Sequence, residues 1–176
     1  MSILSVYHVS SPELPNKVLT HQEDIASTLA EQGIAFSRLP STLALKAGAS
    51  EEEVLDACRV QIDQLMTEHG LDAVEVISID GPVPSGEPRR EHYHHTDELR
   101  FFVAGRGLLS LRVGDFVYAV LCEKNDLIAI PAGTRQWFDL GDHPRLIATR
   151  LFRDGAGRQG VPTGDAIADE FPGLDD

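Results

Sequence analysis

Between positions 91 and 100 the chain reads Glu-His-Tyr-His-His-Thr-Asp-Glu-Leu-Arg. Successive side chains of an extended strand point to opposite faces, so His92, His94, Glu98 and Arg100 share one face. Two imidazoles and a carboxylate form the facial triad that suits non-haem Fe(II), leaving positions open for substrate and dioxygen. A His-x-His pair alone is more often part of a solvated strand. The carboxylate in phase with it, and the guanidinium two residues later, weigh toward a metal centre. His95 is out of phase and His143 follows a Gly-Asp turn, so neither is expected to add a ligand.

Other candidates carry less chemistry. Gly105-Arg-Gly107 lacks the third glycine and the βαβ setting of a dinucleotide fingerprint. Cys122 has no basic partner in register and reads as a buried apolar residue. Phe102, Trp137 and Phe138 read as core or cavity wall.

The elements that would position the triad follow from pattern. Ile3 to Val9 reads as a strand. Thr20 and Glu23 have capping-box spacing and predict a helix running to about Gln32, and Ile34 to Leu39 reads as a second strand. Ser50 with Glu53 repeats the box before an amphipathic helix through Leu55, Cys58, Ile62 and Leu65 that ends near Gly70. Ala73 to Ile79 alternates as a strand, and Gly81-Pro-Val-Pro-Ser-Gly-Glu-Pro is a loop. From about residue 91, short β-rich runs follow at 99–104, 108–113, 117–121, 127–130, 137–140 and 146–152. Turn residues at Gly105, Gly114-Asp115, Asn125-Asp126, Pro131-Ala-Gly133 and Gly141-Asp-His-Pro144 separate them, a spacing that indicates a β-sandwich or barrel. Thr163 to Phe171 is expected to form a last short helix. The expected fold is mainly β (α+β). Residues 1–176 make one domain, with an N-terminal α/β extension over about 1–80 and a barrel over about 81–153.

Composition narrows the function classes. The 176 residues are 42% hydrophobic and 24% charged, ordinary for one globular domain. A formal net charge of −13 argues against nonspecific binding to nucleic acid or to an anionic membrane. Two isolated cysteines give neither a zinc spacing nor a disulfide framework, which favours a reducing compartment. With no signal-peptide pattern and no membrane-length apolar run, a cytoplasmic protein is expected. No heptad seam is present, so a monomer is the expected state.

The spacing from Gly86 through His92-x-His94, Glu98 and Gly105 reproduces the first motif of the cupin superfamily. Asn125, Pro131-x-Gly133 and position 136 follow its second. Asn125 stands where that motif has glycine, a mild change because both tolerate left-handed backbone. Cupins are small jelly-roll barrels that hold a metal inside. Within them the chain resembles the acireductone dioxygenase family of methionine salvage. The resemblance is carried by Asp97-Glu-Leu-Arg-Phe-Phe-Val-Ala-Gly-Arg-Gly107, Val120-Leu-Cys-Glu-Lys-Asn-Asp-Leu-Ile128, Pro131-Ala-Gly-Thr-Arg135, Trp137-Phe-Asp-Leu-Gly141 and Thr163-Gly-Asp-Ala-Ile167. Val6-Tyr-His and Val18-Leu-Thr-His near the start add to it.

That resemblance implies a metal site of His92, His94, Glu98 and position 136 holding one Fe2+ or Ni2+ per chain. At position 136 the family has histidine and this chain has Gln136, a neutral and weaker donor. Arg100 matches an arginine that helps form and hold a substrate dianion, and Arg150 a second arginine near the substrate. Glu91 matches a position linked with metal incorporation, and Asp97 one linked with relaying conformational change. The implied partners are a small enediol substrate and dioxygen. Two further readings stay open: a cupin oxygenase for another enediol or diketone, and a non-catalytic ligand-binding cupin in which Gln136 marks a lost metal site.

Overall fold

A computed structural model describes residues 1–41, 43–82 and 89–176 of the chain. Most of the expected loop after Gly81, including Gly86 of the first motif, lies outside the described residues. The strands in chain order are β1 (Ile3–His8), β2 (Lys17–Leu19), β3 (Ala35–Arg38), β4 (Ala73–Asp80) and β5 (His92–Tyr93). They continue with β6 (Glu98–Val113), β7 (Phe116–Glu123), β8 (Asp126–Ile130), β9 (Arg135–Asp139), β10 (Arg145–Phe152) and β11 (Val161–Pro162). Two helices, α1 (Gln22–Ala30) and α2 (Glu51–His69), precede the barrel strands.

All strand pairing among the described residues is antiparallel. One sheet runs β11-β5-β9-β6-β7-β1-β2; in the other, β6 is flanked by β8 and β10, which pair outward with β3 and β4. Strand β6 belongs to both sheets. Its first half pairs with β8 and β10, its second with β7 and β9. This is the jelly-roll barrel expected from the motifs. The N-terminal 80 residues do more than pack alongside it, since β1 pairs with β7, β3 with β8 and β4 with β10.

Strand parity is visible directly on β6. Leu99, Phe101 and Val103 face outward into a cluster with Val54, Cys58, Ile62 and Leu65 of α2. Phe102, on the opposite face, points into the barrel interior. Past the register shift against β10 the phase reverses, and Leu109 and Leu111 join Phe102 there with Leu4, Val6, Ile128, Leu146 and Ala148. Glu98 and Arg100 continue this inward row and are buried. Helix α2 has the apolar stripe that such packing requires. Its N-terminus is capped by Ser50, whose Oγ accepts from Glu53 N at 3.1 Å, and Gly70 ends it in left-handed backbone.

Three local expectations are corrected. Gly105 does not end a strand; β6 continues through it. Its φ of +74° accompanies a register shift against β10, and a Cβ there would lie 1.9 Å from the Arg145 carbonyl oxygen. The glycine lets the strand bend from one sheet into the other. Helix α1 starts after His21, which makes no side-chain cap, so Thr20 lies one position too early to form its capping box. The expected helix over 163–171 reduces to a 3-10 turn at Ile167–Glu170, because Gly164 takes a φ of +78° and breaks the run. The short strands β2, β5 and β11 have too few residues to show a period. As the motif's tolerance predicts, Asn125 has a φ of 77°. Among the described residues, no helix is long and apolar enough to cross a membrane.

Candidate metal centre

The inward row of β5 and β6 meets β9 and β10 at one end of the barrel, around a cavity of about 290 Å³. His92, His94, Arg100, Phe138 and Arg150 line it, with Arg90 and Arg158 among the residues completing the wall. His92 stands opposite Gln136 in the β5–β9 register, and Arg150 opposite Arg100 in the β6–β10 register. The strand pairing therefore gathers residues up to 58 positions apart in sequence, from His92 to Arg150.

Both imidazoles are held in one tautomer. His92 Nδ1 lies 2.8 Å from the Arg90 carbonyl oxygen, and His94 Nδ1 lies 2.8 Å from that of Gly157. A carbonyl only accepts, so each Nδ1 carries the proton and each Nε2 keeps its lone pair. The rings meet edge to face with centroids 5.4 Å apart. Burial lowers both pKa values below the ordinary 6.5, which keeps the rings neutral.

Glu98 sits between a histidine and two cations. Arg100 Nε donates to its Oε2 at 2.7 Å, and Arg150 donates from Nε at 3.2 Å and from Nη2 at 3.0 Å. His94 Nε2 lies 3.7 Å from its Oε1. Burial alone would raise this carboxyl's pKa, but the two guanidiniums outweigh it and hold the value at about 2. Arg150 Nη2 also donates to His94 Nε2 at 3.0 Å, and its Nη1 donates to Glu75 at 3.0 Å. The carboxylate is thus closer to the guanidiniums than to the imidazole. Among the described residues, no three His, Cys, Asp or Glu groups form a ready ligand cage.

The donor chemistry nonetheless fits a borderline divalent ion. His92 offers a lone pair at Nε2, and His94 has one that Arg150 Nη2 occupies and an ion would take over. Glu98 supplies an ionised carboxylate, and the buried Gln136 offers Oε1, which accepts from Arg100 Nη2 at 3.4 Å. The cavity also has one unmet demand. Arg100 Nη1 is buried with no hydrogen-bond partner, a cost that an anionic oxygen in the cavity would relieve.

The remaining sequence candidates lie around this centre. Glu91 reads as an ordinary exposed acid without the resemblance, yet it is 1% exposed. It accepts from Thr163 Oγ1 at 2.7 Å and from Arg112 Nη1 at 3.3 Å. Asp97 is exposed and accepts from Ala132 N at 2.8 Å. His95 is exposed and faces a different cavity behind Glu98, and His143 is exposed on its turn. Phe138 stacks against Arg100 with 4.8 Å from the guanidinium carbon to the ring centroid. Trp137 packs on the outer face of the sheet with Tyr7 and Phe171, outside the cavity wall. Cys122 is fully buried, and burial pushes its thiol pKa well above the ordinary value.

Sequence reasoning missed Glu75 and the carbonyls of Arg90 and Gly157. A charge in the middle of the apolar run Ala73-Val-Glu-Val-Ile was the available signal for Glu75. Backbone carbonyls leave none.

Residues 12–159 match the model of the ARD/ARD' family. Acireductone dioxygenases from Pseudomonas fluorescens (strain Pf-5) and Pseudomonas syringae pv. tomato are each 58% identical to this chain over the whole of both proteins. The protein of that name from Pseudomonas aeruginosa is 51% identical, again at full coverage. A solved structure of the acireductone dioxygenase from Bacillus anthracis, with a cadmium ion in its active centre, superposes with a TM-score of 0.71 at 24% identity. It covers 92% of this chain and 98% of the other. A family model spanning most of the sequence and full-length relatives above half identity agree with the barrel and its inward row: this chain belongs to the acireductone dioxygenase family.

Proposed function

We propose that the protein is a metal-dependent dioxygenase of the acireductone type. Its substrate in this reading is 1,2-dihydroxy-5-(methylthio)pent-1-en-3-one, cleaved with O2. The products are 4-methylthio-2-oxobutanoate and formate with iron, or 3-(methylthio)propanoate, formate and carbon monoxide with nickel. The observation that carries the reading is Arg100, which is buried with its Nη1 unpaired and lines the same cavity as His92 and His94.

His92, His94 and Glu98 would hold one divalent ion, with Gln136 as a neutral fourth oxygen. A bound Fe2+ or Ni2+ would supply Lewis acidity and open positions for oxygen ligands. Arg100 binds the ionised enediol oxygen, and the burial of its guanidinium makes that charge pairing strong. Phe138 and Ile77 give the substrate's thioether tail an apolar wall. Arg150 bridges Glu75 and Glu98 and keeps the carboxylate ionised.

The test is paired. Metal stoichiometry and O2 uptake with the acireductone are measured for this chain and for Gln136→His. The reading expects metal-dependent turnover in the native chain, and metal affinity at least about tenfold tighter in the variant, as befits an imidazole replacing an amide. A native chain that stays metal-free in excess Fe2+ and Ni2+ and consumes no O2 overturns it. In that event the saturation of Glu98 by two guanidiniums favours a non-catalytic, anion-binding cupin.

A further inference from the structure

After β10 the chain turns back across the two imidazoles and touches both. Gly157 is buried, and its carbonyl accepts from His94 Nδ1. Its own N–H is tied to Asp154 Oδ1 at 3.0 Å. A Cβ on Gly157 would fall 2.1 Å from Thr96 Oγ1. Gly160 lies flat against the other ring, where a Cβ would stand 2.9 Å from His92 Cδ2 and 3.4 Å from Cγ. Strand β11 then pairs with β5, Pro162 opposite His92, and Thr163 fastens the far end to Glu91. Neither Gly157 nor Gly160 has the left-handed backbone that would itself demand glycine. Space is what requires glycine at these two positions.

We propose that residues 154–163 are the positioning element of the metal centre. Gly157 fixes the tautomer and tilt of His94, and Gly160 leaves the room in which the His92 ring lies. The proposal rests on the reading that these imidazoles bind the ion, and it adds two positioning residues to that site. Groups that hold a ligand's second ring nitrogen typically alter metal affinity by about 10- to 100-fold. A β-carbon at either glycine should act within that range by turning a ring.

Two measurements on the full chain test it. In chelator-stripped protein, long-range proton–nitrogen NMR spectra read the ring tautomers. His94 should be Nδ1-protonated in the native chain and lose that signature in Gly157→Ala. Adding Thr96→Ala opens the 2.1 Å contact, and Thr96 Oγ1 itself has no hydrogen-bond partner to lose, so the double variant should regain the native signature. Titration with Co2+, followed by visible absorption, should weaken about 10- to 100-fold in Gly157→Ala and Gly160→Ala and recover in the double variant. The exposed His143 ring should not move and serves as a control for general unfolding.

Unchanged His94 resonances and unchanged cobalt affinity in Gly157→Ala overturn the proposal. If Gly157→Ala does not fold, unchanged His92 resonances and affinity in Gly160→Ala overturn it equally. A native chain that binds no Co2+, but whose tautomers respond as described, sinks the metal reading and leaves the positioning role standing.

Discussion

Two buried carboxylates lie at opposite ends of the same strand pair. Glu98 opens β6 opposite Ile130, and Asp126 opens β8 beyond the Phe101–Leu127 pair. Glu98 is 2% exposed and Asp126 0%. Burial pushes both pKa values up, yet Glu98 ends at about 2 and Asp126 at about 6. The difference is in the neighbours. Glu98 receives three guanidinium N–H donors within 3.2 Å. Asp126 has Ser2 Oγ at 2.6 Å and the Glu123 N–H at 2.9 Å, both on one oxygen. Its other oxygen has no hydrogen bond, and the half-exposed Arg38 stands 3.8 Å away. Neutral donors do not offset desolvation as full charges do. The same strand pair therefore carries one acid that its neighbours keep ionised and another that tolerates its charge poorly.

The contrast is tested most severely by removing a charge from the first acid. Arg100→Gln takes away the nearest guanidinium and the unpaired Nη1 together. Turnover should fall about 10²- to 10³-fold, the usual loss when a buried donor for developing charge is removed. The Glu98 pKa, read by carbon-13 NMR titration of the carboxyl, should rise from about 2. Turnover within about threefold of native would take Arg100 out of the reaction.

The second acid gives the next largest effect, with the opposite sign. A carboxyl whose folded pKa is raised keeps its proton more tightly when folded than when unfolded. Its ionisation costs stability above about pH 6, and that stability returns as pH falls from 6 toward the ordinary 3.8. The gap corresponds to at most on the order of 3 kcal/mol. Asp126→Asn removes the titration, so the native-minus-variant difference in urea unfolding stability should rise between pH 7 and pH 4. A difference that stays flat over that window would give Asp126 an ordinary pKa and dissolve the contrast.

Glu98 also conditions the imidazoles beside it. Burial lowers the pKa values of His92 and His94 first of all, and for His94 the Glu98 charge partly opposes this. Protons therefore compete with a metal only below pH 6.5. Apparent Co2+ affinity should hold steady from pH 8 to 6.5 and fall below that, by up to about two decades per pH unit if both rings must shed a proton. A fall already under way at pH 7.5 would contradict the neutral pair.

The legible part of this site is the part written in local alternation. Alternation holds for Glu98, Arg100 and Phe102 on β6, but the expected single strand from His92 to Arg100 is broken. Strand β5 ends at Tyr93 and residues 95–96 bend, so the histidines reach the cavity from a separate short strand. What came from distant chain was hidden. Glu91 has no local mark of burial, since Arg112 and Thr163 reach it from 21 and 72 positions away. The 145–152 strand was readable from its apolar run, but the register that sets Arg150 against Arg100 was not. Gly105 read as a stop because glycine usually punctuates; here it permits a bend, and only the contact with Arg145 distinguishes the two. Ser50 capped α2 as expected, whereas Thr20 missed by one residue, a shift that spacing alone cannot resolve.

The smallest effect should come from Glu75, which stands opposite Arg150 in the β4–β10 register and accepts from its Nη1 at 3.0 Å. Its side chain is 36% exposed, against 1% for Glu98 on the other side of the same guanidinium. Water screens the outer pair and not the inner one, so Glu75→Gln should cost only about 0.2–1 kcal/mol in stability. Arg150 remains charged in the variant and the substituted amide still offers it an oxygen, so Glu98 stays ionised and turnover should change by no more than about fivefold. Steady-state kinetics and urea unfolding at pH 7 measure both. A loss near that of Arg100→Gln would mean that the outer carboxylate, and not the inner one, sets the orientation of Arg150.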